Sequence, residues 1–142
     1  MKLREVMSTP AIRIHPDENV LVAARTMEHY NIGAMPVCGS DGRLKGMLTD
    51  RDIVTRCLAA GRNPANTAVA DVMTANIIAV RPDMEASDAA AIMGSKQVRR
   101  LPVMENGKLC GVVSLGDLSI REESNAQAAD ALSNISNHLS SR

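Results

Sequence analysis

Two short segments of the chain present the same chemically useful side chains in the same order. In each, a hydroxyl ends an apolar, strand-like run and a carboxylate follows three residues later, as Thr49 with Asp52 and Ser114 with Asp117. A carboxylate at the start of the helix predicted there can accept hydrogen bonds from both hydroxyls of a ribose. The same spacing suits a capping box, in which hydroxyl and acid satisfy free N–H groups of the first helical turn. Ribose binding and helix capping therefore both remain open for the two aspartates.

Arginines accompany both segments. Arg51 lies in the predicted first helical turn, where free N–H groups and the helix dipole favour an anion. Arg99 and Arg100 precede a predicted buried strand, at the positions that Gly33 and Ala34 occupy in the first half of the chain. Because a guanidinium suits bidentate recognition of phosphate, the arginine pair predicts phosphate contacts. Surface salt bridging is the alternative.

The two segments belong to an internal repeat. Equivalent residues lie 66 positions apart from Val6/Val72 onward, and 65 apart after a one-residue deletion in a loop before Gly42/Gly107. One supersecondary unit is therefore duplicated, and the duplication predicts a pseudo-symmetric pair of sites. The identities are Val6/Val72, Met7/Met73, Ile12/Ile78, Pro16/Pro82, Asp17/Asp83, Ala23/Ala89, Met27/Met93, Pro36/Pro102, Val37/Val103, Gly42/Gly107, Gly46/Gly111 and Asp52/Asp117.

Each copy predicts the element order strand, helix, hairpin and helix. The leading strands are expected at 11–15 and 77–80, the following helices from about residues 20 and 85, and a further regular helix over 50–60. This predicts an α/β (α+β) fold class of two β-α-β-β-α repeats, 1–66 and 67–122, that share one core. Residues 123–142 are predicted to be a helical or frayed tail, in which apolar residues keep helical spacing at Ala128, Leu132, Ile135 and Leu139.

Composition narrows the class of function. Sixteen Lys and Arg balance sixteen Asp and Glu, and Tyr30 is the only aromatic residue among 142. A chain with no net charge and no aromatic stacking surface is not expected to bind nucleic acid. The sequence contains no apolar run of membrane-spanning length and no apolar leader, which predicts a cytoplasmic protein without membrane contacts.

Cysteine and histidine spacing indicates no metal centre. The three cysteines lack C-x-x-C spacing and fit structural thiols in a reducing compartment, and the three histidines lack helical pairing. They are Cys38, Cys57, Cys110, His15, His29 and His138.

The chain resembles the duplicated cystathionine β-synthase (CBS) domain, or Bateman module, in its small stand-alone bacterial form. The resemblance covers Val6 to about Arg121. It rests on Val-Met-Ser/Thr at each start, Gly-Ala-Met-Pro-Val or Arg-Arg-Leu-Pro-Val in the middle, and Gly-x-x-Thr/Ser-x-x-Asp at each end. It implies two repeats packed as one module, with two clefts between them that bind AMP, ADP, ATP or S-adenosylmethionine.

Site residues carry over from this resemblance position by position. One cleft is expected to use Thr49, Arg51 and Asp52 with Ile78. The other is expected to use Ser114 and Asp117 with Ile12, Gly33 and Ala34, while Arg99 and Arg100 face phosphates. Gly33 and Gly116 depart from the pattern, because many members carry a polar or charged side chain there.

These features favour a regulatory sensor that binds an adenine nucleotide and signals to an unidentified protein target. We expect a homodimer with no required cofactor. The alternative is a ligand-independent dimerisation scaffold in which the two aspartates only cap helices. An enzyme is disfavoured, because the chain has no Gly-rich phosphate loop, no zinc spacing and no Ser-His-Asp or Cys-His grouping at family spacing.

Overall fold

The computed structural model describes residues 1–119 and 129–135. The chain divides into two compact units. The first-repeat unit comprises Ala11–Ile77 with Gly107–Leu109, and the second-repeat unit comprises Met1–Pro10, Ile78–Asn106 and the described residues from Cys110 onward. No helix among the described residues is long and apolar enough to cross a membrane.

In the first-repeat unit, helix α1 spans Val20–Tyr30. The Asn19 side chain caps it by accepting a hydrogen bond from the Val22 N–H, and Asn31 ends it in the left-handed conformation. Strands β1 (Ala34–Cys38) and β2 (Leu44–Thr49) form an antiparallel hairpin in which Ala34 lies opposite Thr49. The hairpin register therefore brings the start of β1 beside the end of β2.

The helix after β2 is not the regular helix predicted over 50–60. Only Asp50–Asp52 (α2) is α-helical, and Ile53–Leu58 forms a π-helical segment whose exit bond runs five residues back, from Ala59 N–H to the Val54 carbonyl. The Thr55 hydroxyl donates to the Arg51 carbonyl at 2.8 Å. The Thr26 hydroxyl makes the same bond to the Val22 carbonyl within the regular helix α1, so this bond alone does not set the wider turn.

The second-repeat unit repeats the pattern. Helix α3 spans Ala86–Lys96, strands β3 (Arg100–Glu105) and β4 (Lys108–Ser114) form the second two-stranded sheet, and α4 spans Leu115–Ser119. Short 3-10 turns lie at the start of the repeats, at Leu3–Glu5 and Val69–Asp71, and another lies at Pro64–Asn66. The mixed α/β fold class with one hairpin per repeat is confirmed.

The leading strands of both repeats were predicted wrongly. Each is reduced to one parallel bridge, Ile14 with Val37 and Val80 with Val103. Extending either ladder upstream would require the N–H of Pro36 or Pro102, and proline has none. The proline that recurs inside each buried strand thus prevents the pairing from extending upstream.

The expectation of one shared core is also wrong, because the buried apolar residues form two separate clusters. The first buried apolar residue of each repeat packs in the cluster of the other repeat. Leu3, which begins the first repeat, packs in the cluster of the second-repeat unit, and its equivalent Val69 packs in the cluster of the first-repeat unit. Both side chains are fully buried. The sequence repeats and the compact units therefore differ by this exchange.

Residues 129–135 form a helical segment, here called the tail helix. Ala131 and Ile135 are buried in the core of the second-repeat unit, while Leu132 is 45% exposed. A Cβ on Gly94 of α3 would lie 3.0 Å from the Ala131 Cα, so the two helices approach closely at this glycine. Of the predicted apolar positions in the tail, Ala128 and Leu139 lie outside the described residues.

Candidate functional site

The first junction is the place where β2 ends and α2 begins, with the adjoining start of β1. The Asp52 N–H donates to Thr49 Oγ1 at 3.0 Å, and the Thr49 N–H donates to Asp52 Oδ2 at 3.1 Å. This reciprocal pair is a capping box with aspartate in the third helical position. Capping by Thr49 is confirmed, while ribose binding by Asp52 stays a prediction.

Asp52 has further partners that sequence reasoning missed. The Thr74 hydroxyl donates to Asp52 with 3.4 Å to each carboxylate oxygen, and the Arg56 Nε lies 3.8 Å from Oδ1. The Arg56 guanidinium also donates to the carbonyls of Met73 at 3.0 Å and Val72 at 3.4 Å. Asp52 is only 7% exposed, so this carboxylate is buried within its own network.

The start of β1 completes the first junction. The Asp50 N–H donates to the Gly33 carbonyl at 2.9 Å, and Ala34 pairs with Thr49. A Cβ on Gly33 would lie 3.1 Å from Asp50 Oδ2, so an acidic side chain lies directly over this glycine. Arg51 is exposed beside it. Ile12 belongs to the same unit and packs, partly buried, against its core.

The second junction lies where β4 meets α4. The Ser114 N–H donates to Asp117 Oδ2 at 2.9 Å, and the Asp117 N–H donates to Ser114 Oγ at 3.0 Å. Capping by Ser114 is therefore confirmed as well. Asp117 is partly buried, and its Oδ1 has no hydrogen-bond partner within residues 1–119 and 129–135. One carboxylate oxygen remains available for a ligand in the described structure.

The arginine pair belongs to the second junction. The Leu115 N–H donates to the Arg99 carbonyl at 2.8 Å, which holds the Arg99 backbone beside the start of α4. Arg99 is exposed and Arg100 partly buried. In the part of the chain that the structure describes, neither guanidinium forms an ion pair, so the predicted alternative of surface salt bridging has no support there. Ile78, in the same unit, is 38% exposed.

The structure thus brings the predicted residues together in two sets, one in each unit. Thr49, Arg51, Asp52, Gly33 and Ala34 form the first set, and Ser114, Asp117, Arg99 and Arg100 form the second. The expected combinations of residues from different repeats stay a prediction. Gly116 is open at the second junction, because a Cβ there would meet only Ser114 Oγ at 3.6 Å.

Two glycines allow a segment near the start of each repeat to pack closely against a β-strand. A Cβ on Gly46 would lie 2.5 Å from the Thr74 carbonyl oxygen, and one on Gly111 would lie 3.0 Å from the Ser8 carbonyl oxygen. The backbones pair at the same places, Thr74 with Met47 and Ser8 with Val112. The repeated Met-Ser/Thr pair at each repeat start was the sequence signal for these hydroxyl residues.

A Ser-His-Asp arrangement does form on the surface of the first-repeat unit. His15 Nε2 lies 3.1 Å from Ser40 Oγ, and Asp17 Oδ2 lies 3.7 Å from His15 Nδ1. However, Nδ1 accepts the Asp17 backbone N–H at 3.1 Å, so neutral His15 carries its proton on Nε2. A general base for Ser40 would need Nε2 free and Nδ1 protonated. The geometry therefore does not support acyl transfer here.

The thiols are placed as structural residues. Cys38 and Cys57 are buried, and burial raises the pKa of the Cys38 thiol above its ordinary value. Burial also raises the pKa of Cys110, with Glu105 adding to the effect. A raised pKa favours the neutral thiol, which is a poor nucleophile and metal ligand. The described residues contain no group of three or more His, Cys, Asp or Glu that would hold a metal ion.

Comparison with known proteins agrees with the duplicated architecture. The family model for the CBS domain matches twice, over residues 3–59 and 69–121. The chain belongs to the CBS-domain family. The CBS domain-containing protein YhcV of Bacillus subtilis is 41% identical to this CBS pair over 134 residues, covering 94% of each chain.

Two solved structures are similar to this CBS pair. Hypoxic response protein I, described with two coordinated zinc ions, has a TM-score of 0.80 and 35% identity, and the match covers 85% of this chain and 98% of that one. The CBS domain pair of protein MJ0100, in complex with 5′-methylthioadenosine and S-adenosylmethionine, has a TM-score of 0.77 and 25% identity, with 84% and 94% covered. A CBS pair of this fold therefore binds adenosine compounds in the second case.

Proposed function

We propose that this CBS pair is a regulatory module that binds an adenosine compound at its strand-to-helix junctions. The observation that carries the proposal is the second junction, where Asp117 Oδ1 and two guanidiniums have no partner in the described structure. A carboxylate acceptor suits ribose hydroxyls, and an arginine pair suits phosphate. The adenosine ligands of the MJ0100 domain pair support the same ligand class.

The ligand class remains AMP, ADP, ATP or S-adenosylmethionine, and ligand binding is proposed to alter contacts with a protein target. The predicted contribution of Ile12, Gly33, Ala34, Arg51 and Ile78 is retained as part of this proposal. The three free cysteines fit a reducing compartment, which supports action in the cytoplasm.

A ligand-independent scaffold is the competing function, and one observation favours it. Both aspartates already cap the helices that follow them, so their spacing is explained without a ligand. The two functions differ in one measurable respect. A sensor is stabilised by its ligand through mass action, whereas a scaffold is not.

The experiment is a thermal-shift screen of AMP, ADP, ATP, S-adenosylmethionine and 5′-methylthioadenosine, with GMP and CMP as controls. A ligand at a hundred times its Kd stabilises the folded state by about 2.7 kcal/mol. We expect at least one adenosine compound to raise Tm and the two control nucleotides to leave it unchanged. No shift with any adenosine compound at millimolar concentration would favour the scaffold.

Titration of the Arg100→Ala variant with AMP and adenosine then tests the phosphate contact. Charge-assisted hydrogen bonds contribute about 1.5–3 kcal/mol, so AMP affinity should fall roughly tenfold or more while adenosine affinity is nearly unchanged. Arg81→Ala is the matched control, because that exposed arginine of the same unit pairs only with Asp83 among the described residues. Equal losses for AMP and adenosine would show that Arg100 is structural.

The module is proposed to act as a homodimer. The first-repeat unit leaves four apolar side chains exposed on α1 and the π-helical segment: Val22, Tyr30, Val54 and Leu58. These two helical elements pack against each other, so the exposed residues lie on neighbouring elements. Apolar surface of this kind is costly to leave in water and is typical of an interface.

A further inference from the structure

We propose that the two junctions have different roles. The second junction binds the anionic adenosine ligand. The first junction is a structural lock, by which we mean that Thr74 and Arg56 contact the Asp52 carboxylate in place of a ligand. This inference deepens the proposed function and rests on it for the ligand, but the lock can be tested without any ligand.

The carboxylates of the two junctions differ in the number of partners they already bind. Asp52 accepts hydrogen bonds from the Thr49 N–H and the Thr74 hydroxyl and lies 3.8 Å from the Arg56 guanidinium, with its side chain only 10% exposed. Asp117 accepts only the Ser114 N–H within the described structure. A ribose diol would have to displace Thr74 or Arg56 from Asp52, whereas one oxygen of Asp117 has no partner among the described residues.

Equivalent hydroxyl residues of the two repeats also differ in their contacts. Thr74 and Ser8 match in the repeat, and both are paired through their backbones to the neighbouring strand, Thr74 with Met47 and Ser8 with Val112. Only the Thr74 hydroxyl bonds to the aspartate of its junction among the described residues, and Ser8 is exposed. Arg121, the match of Arg56, lies outside the described residues. The difference between the junctions therefore rests on the threonine hydroxyl.

The two junctions also differ in charge. The first junction carries Asp50 and Asp52 against Arg51, and Asp50 lies over Gly33. At the equivalent positions the second junction carries Leu115 instead of Asp50 and Arg99 instead of Gly33. Because Arg56 also faces Asp52, the charges of the first junction balance. The second junction has two arginines against Asp117, and this net positive charge attracts phosphate.

The lock also explains where Arg56 is directed. Its guanidinium donates to the Val72 and Met73 carbonyls, just before Thr74, while its Nε faces Asp52. One arginine therefore ties the helical turn after Asp52 to the segment that bears Thr74. In this arrangement Asp52 holds two parts of its own unit together, which is a positioning role rather than a ligand contact.

Calorimetric titration with AMP tests the assignment of the ligand. Wild-type protein should bind one AMP per chain. Asp117→Asn should lower affinity at least tenfold, because the free carboxylate oxygen is lost, whereas Asp52→Asn should change it less than about twofold. Two AMP molecules per chain with similar affinity, or an equal loss in Asp52→Asn, would overturn the assignment.

Thermal unfolding without ligand tests the lock. Thr74→Val removes the hydroxyl and keeps the shape, and it should lower Tm by a few degrees, as should Asp52→Asn. The matched controls Ser8→Ala and Asp117→Asn should lower Tm less than their first-junction counterparts. Equal effects in the two members of each pair would overturn the lock. If wild type binds no AMP, the proposed function and the ligand assignment fail for AMP, and these unfolding data still decide the lock.

Discussion

Glu85, immediately before α3, is a partly exposed carboxylate whose pKa is shifted by its partners. Lys2 Nζ lies 2.8 Å from Oε1 and the terminal amino group of Met1 lies 2.7 Å from Oε2. The hydrogen bond from Lys2, followed by that from the amino group, lowers the pKa of Glu85 from 4.5 to about 2. The folded state therefore binds the Glu85 proton more weakly than the unfolded state does.

The sign of the pH effect follows from this lowered pKa. The stabilising contribution of Glu85 is fully present above the unfolded pKa of 4.5 and is lost as the pH falls toward about 2. We expect the Tm difference between wild type and Glu85→Gln to be largest at neutral pH and to shrink steadily in acid. Because the pair is exposed, added salt should reduce the difference as well.

Thermal melts of both proteins at several pH values between about 2.5 and 7 would measure this prediction. Glu28→Gln is a suitable control, since Glu28 is exposed and its side chain has no ion pair within the described structure. A difference that persists unchanged at the lowest pH would mean that packing, not charge, links Glu85 to Lys2.

At the scale of residues, local spacing predicted the two hydroxyl–acid pairs well. Thr49 with Asp52 and Ser114 with Asp117 are three residues apart, so a single helical turn brings them together, and both capping boxes formed. Thr74 could not be predicted as a partner of Asp52, because the two are 22 residues apart and only tertiary folding joins them.

At the scale of elements, the helices and hairpins followed the hydrophobic pattern, with departures in the helix after β2 and in the two leading strands. Ile53–Leu58 is π-helical, although the bond from the Thr55 hydroxyl to the Arg51 carbonyl has a counterpart in the regular helix α1. Pro36 and Pro102 have no backbone N–H to donate to a longer leading strand. Apolar periodicity contains no information on which backbone hydrogen bonds can form, so it predicted a regular helix and two full strands.

Gly94 lies where α3 packs closely against the tail helix. Replacing Gly by Ala within a helix normally stabilises the folded protein by about 1 kcal/mol. Here the new Cβ would lie 3.0 Å from the Ala131 Cα and 3.2 Å from its Cβ, so the tail helix would have to move. We expect Gly94→Ala to destabilise the protein and to expose residues 129–135, because Ile135 would lose part of its burial.

Urea unfolding and hydrogen exchange would test this, with Gly116→Ala as the matched control. Gly116 also lies within a helix, and a Cβ there would meet only Ser114 Oγ at an ordinary 3.6 Å. The control should be neutral or slightly stabilising. If Gly94→Ala stabilises the protein as much as Gly116→Ala does, the tail helix does not depend on this close approach.

At the scale of the whole molecule, the duplication was visible in the sequence but the exchange of first segments was not. Leu3 and Val69 are equivalent apolar residues, and nothing in their spacing says which repeat each will pack against. The structure assigns each to the unit of the other repeat. As a result the second-repeat unit is not continuous in sequence, and the repeat boundaries alone do not define the cores.

The exposed apolar side chains of the π-helical segment predict association of two chains. Val54 and Leu58 are each 55% exposed on the π-helical segment, so burying the remaining surface contributes about 1 kcal/mol per side chain. We expect a dimer mass by light scattering at tens of micromolar protein. The double variant Val54→Ser/Leu58→Ser should weaken association by roughly tenfold or more, since 1.4 kcal/mol corresponds to tenfold. Leu132→Ser is the control, because that side chain is 45% exposed in the second-repeat unit. A monomer mass for wild type would contradict dimerisation, and a double variant that dimerises as wild type does would move the interface away from these residues.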